Sequence, residues 1–488
     1  MSTPRTRLLR GWGRTAPSAA TVVRPTGAGQ VLELVTDIAG RTAPGPATAD
    51  RLRSVGAVIA RGLGRSYGDA AQRSGGLVID TSALDDIGPV EPATGLVEVG
   101  GGASLDALVR RTLPEGWFVP VTPGTRHVSI GGAVAADVHG KNHHVEGTFC
   151  AHVTSLTLAT PTGLHTVGPD GPPEEAGLFW ATAGGMGLTG VVVTATLRML
   201  PVSSSWVLVD TERFDDLDEL MATMSASDDR YRYSVAWVDC TARRGPLGRS
   251  VLTRGDHAPR SALGSKRPAR RAVSLAGPSR IRIPVTAPEG LVNRHTVRAF
   301  NEVWFRRAPR REVAALQPLD RFFYPLDGVG DWNLLYGRAG FVQYQFAVPD
   351  EQAELVREAI RMTSEGGTPS SLAVLKRFGP QDPGPLSFPL AGWTLALDFP
   401  VGPPSLPAVL DRLDERVAEA GGRVYLAKDA RLRPELVPVM YPRAGELLAV
   451  RRRVDPTLAL GSDLSRRLGL DDGGPPAAAD QGEGRARA

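Results

Sequence analysis

The stretch "HGKNHH" sets His139, Lys141, His143 and His144 within six residues, and three of the chain's eight histidines fall there. At neutral pH such a cluster combines proton carriers with a cation. Three chemistries suit it: a metal site, a polar loop bonded to backbone, or a cationic corner holding an anion or a reduced cofactor. Zinc would use His139 and His143 as an i, i+4 pair. Gly140 and Asn142 weaken the helix which that geometry needs, and H-E-x-x-H is absent, so no metal is expected. Further on, Lys428 in "YLAKDAR" stands beside Asp429 in a strand-like segment, and Lys376 lies in "AVLKRFGP". Gln343 and Gln345 in "FVQYQF" share one strand face, as alternate residues do. Taken alone, each of these reads as a surface residue.

Glycine-rich turns are the second signal. "ARGLGRSYGDAA" (60–71) spaces its glycines G-x-G-x-x-x-G, near the dinucleotide fingerprint without matching it. A Rossmann loop opens a helix. This one runs from "AVIA" into "LVID", strand to strand, so its expected task is to present backbone N–H groups. "GGGASL", "GGMGLTG" and "PVTPGTRHVSIGGAVAADVHGKNHH" (120–144) add further small residues. The run from Ile130 through Gly131 and Gly132 to Ala136 is poor core filler but suits edge-on packing against a planar ring or a diphosphate.

The elements that must hold these residues read as α+β. Short strands alternate with turns from about 20 to 200, with a helix over 104–113 capped by Ser104 and another in "PPEEAGLFWATAGG". "GVVVTATLRML" alternates at period two, with Val191, Val193, Ala195 and Leu197 inward. After Pro201 come longer strands ("YRYSVAWVDC", "GFVQYQFAVP", "GWTLALDFPV") and helices in "PDEQAELVREAIRMTSEGG" and "LPAVLDRLDERVAEAGG". Residues 255–295, rich in Pro, Arg and Ser, are expected to form a lid or a disordered segment. The last residues have a disordered composition. Arg451 to Arg453 read as a solvated helical stripe.

The 488 residues allow two or three domains, and net charge is +4 from 56 basic and 52 acidic residues, so no global field argues for nucleic acid. Two cysteines, Cys150 and Cys240, exclude a disulfide framework. Neither a Sec signal nor a run of about 20 apolar residues is visible, so a soluble protein without an export signal is expected.

Taken in order, "RGLGRSYGD", "PGTRHVSIGGAVAADVHGKNHH", "LFWATAGGMGLTG", "FVQYQFAVP", "LSFPLAGW", "YLAKDAR" and "MYPR…RRRVDP…SD" resemble the decaprenylphosphoryl-β-D-ribose 2′-oxidase family. These are the flavoprotein subunits of a 2′-epimerase within the vanillyl-alcohol-oxidase-like FAD-binding fold. The resemblance implies a two-part FAD-binding domain (1–203 and 423–470), a mostly antiparallel substrate domain (204–422) and a tail (471–488). It implies that FAD meets Ala60 and, at its diphosphate, Arg61, Gly62, Leu63, Gly64, Arg65, Ser66 and Tyr67. Gly124, Ser129, Ile130, Gly131, Gly132, Ala136, Asp137, Val138, His139, Val191 and Tyr425 would meet the rest. Relatives with covalent flavin carry His before the loop serine; Arg65 stands there, which implies a dissociable FAD.

The implied reaction oxidises the ribose 2′-hydroxyl of a polyprenyl-phospho-ribose to a ketone, for arabinan synthesis. Lys428 is then the base candidate, with Tyr67 and His139 as relay or orienting groups. Lys141, Lys376, Gln343 and Gln345 would hold phosphate and sugar, beside Trp237, Phe378 and Ala396 as wall. Two departures stand out: Ala396 replaces a cysteine of many mycobacterial relatives, and Phe323 replaces a family tyrosine. An NADH-dependent keto-reductase subunit and peripheral contact with a membrane are implied partners. Location is expected to be cytoplasmic and membrane-associated, with co-export as the alternative. A soluble alditol or sugar oxidase of the same fold is the competing enzyme reading. A nucleic-acid-binding protein using Arg451 to Arg453 is a third, which balanced charge and the lack of interleaved aromatics oppose.

Overall fold

Three main sheets organise the computed structural model, which describes residues 3–41, 56–242, 247–264, 273, 275 and 281–471. The first orders β1 (Arg5–Leu9), β2 (Ser18–Val23), β3 (Val58–Arg61) and β4 (Leu77–Asp80) as β1-β2-β4-β3. β3 and β4 run parallel. Parallel neighbours need a long connection, commonly a helix; here the glycine-rich segment 62–76 crosses without one. The second sheet is antiparallel and orders β5 (Leu96–Gly100), β7 (Val153–Thr160), β8 (Gly163–Val167) and β9 (Val191–Arg198) as β5-β9-β7-β8. β6 (Trp117–Phe118) and β10 (Leu200–Pro201) form a separate ribbon.

The third sheet holds β11 (Trp206–Phe214), β12 (Tyr233–Val238), β13 (Ser250–His257), β15 (Arg311–Pro318), β17 (Phe341–Pro349), β18 (Leu372–Phe378), β19 (Gly392–Pro400) and β20 (Arg423–Val424). Their order is β15-β11-β13-β12-β18-β19-β17-β20. β14 (Ile281–Arg282) and β16 (Val329–Gly330) pair in parallel as a separate two-stranded sheet. Alternation gives the third sheet two unlike faces. Tyr344, Phe346, Leu375, Leu395 and Leu397 join the apolar core with Ile360 and Leu410 of the helices Glu354–Glu365 and Leu406–Glu419. On the opposite face, register aligns Gln345, Ala396, Val374 and Trp237 in one row, and Gln343, Asp398 and Leu372 in the next.

Ser104 caps the helix Leu105–Thr112, accepting from the Ala107 N–H at 3.0 Å. The small-residue run forms a helix, Ile130–Ala135, capped by Ser129. Several expectations change. Lys428 lies in a turn rather than a strand: β20 ends at Val424, and the Lys428 N–H donates to the Tyr425 carbonyl at 3.0 Å. β20 also carries the third sheet past the expected boundary at 422, while Val58 bonds Ala459 and Gly461, drawing the C-terminal segment onto the first sheet. The 255–295 stretch begins as strand through His257 and ends by starting an unforeseen helix, Arg294–Arg307, with a capping box at Asn293. Its residues 265–272, 274 and 276–280, like the tail from 472, lie outside the described residues.

Arg451 is fully buried instead of solvated. Its guanidinium donates to the Leu470 carbonyl at 2.6 Å and to the Leu460 carbonyl, because the returning segment 455–471 covers the helix Ala444–Val454. Arg451→Ala strands those carbonyls and should destabilise the protein by about 3 kcal/mol, read as a lower urea midpoint; an unchanged midpoint would contradict this account.

Candidate active site

A cavity of about 300 Å3 opens between the polar face of the third sheet, the loop after β3, residues 123–139 and the turn at 425–428. Protein neighbours explain the loop's glycines. A Cβ on Gly62 would overlap Ser129 Oγ, one on Gly64 would overlap the Arg61 guanidinium, and one on Gly68 would overlap the Asp429 carbonyl. Gly64 also has φ +63°, a left-handed conformation that glycine adopts freely. Backbone clamps the loop from both sides: the Trp12 N–H donates to the Ser66 carbonyl (2.8 Å) and the Tyr67 N–H to the Ala427 carbonyl (3.1 Å). Among the described residues no acceptor meets the amides of Leu63, Gly64, Arg65 and Ser66. Four adjacent free donors suit an anion.

Cations line the same cavity. Lys376 projects from β18 and Lys428 from the turn, and among the described residues neither ammonium has a hydrogen-bond acceptor. Burial pulls Lys376 well below the usual lysine range, with Lys428 and Lys141 adding repulsion. Burial likewise lowers Lys428 to about 8, opposed by the attraction of Asp398. Asp398, fully buried on β19, is raised to about 7 by burial, opposed by the Gln343 amide it accepts from and by Lys428. Its other oxygen has no partner. The Tyr67 ring lies 5.5 Å from Lys428 Nζ, and burial, then Asp398, keeps its hydroxyl protonated well above the ordinary range.

A hydrogen-bond chain sets the state of His139. The Thr394 hydroxyl donates to the Phe346 carbonyl (2.8 Å), so its oxygen accepts from the Gln345 amide (2.9 Å). The second amide proton then meets His139 Nε2 (3.0 Å), which leaves the proton of the neutral ring on Nδ1. Burial, Lys376, Lys428 and His143 hold the ring uncharged. Nδ1 and Gln345 Oε1 are buried without protein partners.

Arg467 joins the two segments that carry Tyr67 and Lys428. Its fork donates to both oxygens of Asp69 (3.1 and 2.8 Å) and pairs with Asp429 Oδ2 at 2.8 Å. Nothing in the sequence singled it out, since 398 residues separate it from Asp69.

Most expected residues line the cavity: Ala60, Gly62 through Tyr67, Gly124, Ser129, Gly131, Gly132, Ala136, Val138, His139, Tyr425 and Lys428, with Gln343, Gln345, Lys376 and Ala396 on the sheet. Seven do not. Arg61 turns away to the carbonyls of Ala71 (3.0 Å) and Arg10 (2.8 Å), closing the loop from behind. Ile130 is core, and Val191 faces the α-helix Ala28–Arg41 while its neighbour Val192 faces the cavity, a consequence of period-two alternation. Asp137, at φ +39°, accepts from the Cys150 N–H at 3.3 Å. Lys141 donates to the Phe322 carbonyl, above that ring. Trp237 shares the row of Val374 but lies one strand farther out, and Phe378 packs behind His139 at 4.8 Å. His143 accepts from the Gly379 N–H (3.1 Å), and His144 meets the Tyr231 carbonyl (3.0 Å). Trp12, Leu326, Trp332, Leu372 and Val374 also line the cavity; only the period-two pattern of "SLAVLKRF" could have pointed to any of them.

Residues 51–168 match the family described as FAD binding domain. A decaprenylphosphoryl-β-D-ribose oxidase of Mycolicibacterium smegmatis is 43% identical over 469 residues, which cover 95% of this chain and 98% of that protein. This chain belongs to the decaprenylphosphoryl-β-D-ribose oxidase family. An uncharacterized protein of Streptomyces coelicolor is 42% identical over 75% of the chain and all of its own length. An L-gulono-1,4-lactone dehydrogenase of Mycobacterium tuberculosis is 24% identical over 93% of the chain and 96% of its own.

FAD is the cofactor of an oxidase in this family, and the residues present fit it. The free amides of 63–66 and the unpartnered Arg65 Nε suit its diphosphate, and Gly131 and Gly132 line the same cavity. Arg467→Ala should release both segments of the site and weaken FAD retention about tenfold or more, read as flavin-to-protein absorbance after gel filtration. Arg467→Lys should not rescue it, because an ammonium cannot fork to both carboxylates; full retention in either variant would refute the clamp.

Proposed function

We propose that this protein oxidises the ribose 2′-hydroxyl of a polyprenyl-phospho-β-D-ribose to the 2′-keto sugar, the first half of an epimerisation that supplies arabinose for cell-wall arabinan. The observation that carries this reading is two half-buried lysines without hydrogen-bond acceptors among the described residues, which line, with a neutral histidine, the same cavity as the amide-rich loop. A sugar phosphate supplies the anion that the lysines lack, and Leu326, Leu372 and Val374 supply an apolar path for a prenyl chain. Residues 1–203 and 423–470 would hold FAD and 204–422 the substrate. The cofactor dissociates, since Arg65, over the Trp12 ring at 3.9 Å, occupies the place of a flavin-linking histidine. An NADH-dependent keto-reductase completes the epimerisation, and the protein works peripherally at a cytoplasmic membrane surface.

When bound, FAD supplies the two-electron acceptor for this alcohol oxidation. The chain's own residues handle charge and protons. Neutral Lys428 takes the hydroxyl proton, Tyr67 borders it, and the resulting ammonium is balanced by Asp398. His139 Nδ1–H and the Gln345 amide oxygen, both unpartnered, orient the sugar. Lys376 holds the phosphate.

The deciding experiment is the visible spectrum of the purified protein before and after anaerobic addition of a polyprenyl-phospho-ribose. A yellow protein that bleaches, and whose flavin enters the supernatant on acid precipitation, is the expected result; one that stays oxidised overturns the substrate assignment. Lys428→Ala should keep FAD and bleach about 10²–10⁴-fold more slowly.

The pH dependence follows from the same pair. Lys428 acts only when deprotonated, so kcat should rise as pH passes through about 8. Asp398 favours the ammonium, so Asp398→Asn should move that limb to lower pH in a kcat profile. A limb that stays in place would uncouple the two residues.

A further inference from the structure

The helix Arg294–Arg307 has a wider apolar arc than the described residues cover. Val297, Asn301 and Phe305 face inward at i, i+4 and i+8; Asn301 Nδ2 donates to Asp239 (2.7 Å), and Arg213 donates to the Phe305 carbonyl (3.1 Å). On the adjoining face Phe300, Val303 and Trp304 are 58%, 58% and 47% exposed, with the two rings stacked 6.1 Å apart at 16°. Ile281, Val285 and Leu291, also exposed, lead into them. Single exposed apolar side chains are ordinary, whereas a concentration of this kind marks a binding surface.

Charge indicates what binds. Residues 294–311 hold six arginines and one glutamate. Glu302 is already engaged by Arg249 (2.6 Å) and Arg306. Arg298, Arg307, Arg310 and Arg311 are exposed. A second copy on this face would set arginines against arginines. Aromatic residues flanked by arginines instead match a helix lying in the headgroup layer of an anionic bilayer. The band also starts at the cavity: β14 pairs with β16, the Ala287 N–H donates to the Leu334 carbonyl (2.9 Å), and Trp332, between them in sequence, lines the cavity. Among the described residues no helix is long and apolar enough to cross a membrane.

We propose that Phe300, Val303 and Trp304 insert into an anionic lipid surface, with the flanking arginines at phosphate level, so that a lipid-anchored ligand reaches the cavity without leaving the bilayer. The purpose, though not the docking itself, rests on the functional reading above.

The test uses the full-length, FAD-loaded protein sedimented with phosphatidylcholine vesicles with and without phosphatidylglycerol. Wild type should sediment with the anionic vesicles. The double variant Phe300→Ser, Trp304→Ser should bind them about tenfold or more weakly, while its FAD content and its bleaching by detergent-dispersed substrate stay unchanged. Arg298→Glu with Arg307→Glu should weaken binding in parallel. Wild type left in the supernatant, or serine variants bound as tightly as wild type, overturns the proposal. So does a wild-type dimer that the serine variants split in gel filtration, which would make the face a contact between copies. Normal vesicle binding without bleaching by dispersed polyprenyl-phospho-ribose would instead refute the functional reading and leave the docking intact.

Discussion

The fork of Arg467 between Asp69 and Asp429 is the constraint on which the site depends. The loop carrying Tyr67 and the turn carrying Lys428 belong to no common sheet, and each is short of regular backbone pairing. One guanidinium, held at the last turn of the helix Asp463–Arg467, satisfies two carboxylates that burial would otherwise leave as uncompensated charge. The close approach of Gly68 to the Asp429 carbonyl and the bond from the Tyr67 N–H to Ala427 follow from that alignment. Mutual position, more than the identity of either segment, turns a phenol and an amine into neighbours.

The third sheet supplies the opposite wall by a different means. Its inward face is an apolar core of ordinary type, so its register is set firmly. With register set, the other face has to display Gln343, Gln345, Thr394, Ala396, Asp398, Val374 and Lys376 as a fixed grid. A grid of this kind holds charge that a loop could not. Lys376 and Asp398 stand on that grid, Asp398 fully buried and Lys376 half-buried, and the turn brings the half-buried Lys428 up to them. The same rigidity lets one hydroxyl, Thr394, dictate the amide orientation of Gln345 and through it the tautomer of His139.

Much of this was legible in the linear chain. Strands and capped helices followed from periodicity and from Ser104, Pro173 and paired glycines. The motifs that carried the family resemblance also held most of the residues that line the cavity. The failures have local causes. Val191 and Val192 are both apolar, and only pairing with neighbours decides which of them faces the cavity. Arg451 looks like one of three surface arginines, and its burial follows from a chain segment that returns over it. Lys428 directly follows the apolar, strand-like Tyr425-Leu426-Ala427, but β20 stops at Val424 where the chain turns to meet the glycine loop. The helix Arg294–Arg307 was missed because its apolar residues spread over more than one face, which blurs a helical stripe.

Residue types and their order therefore determined the cofactor family, the α+β character and the supply of lysines, amides and glycines, because those depend on local sterics and on intrinsic side-chain chemistry. Tertiary structure alone decided which lysines face the cavity, that Lys141 turns to Phe322 while Lys376 stays free, and that Asp398 balances Lys428. These are outcomes of desolvation and distance, and both arise only when segments hundreds of residues apart are packed against one another.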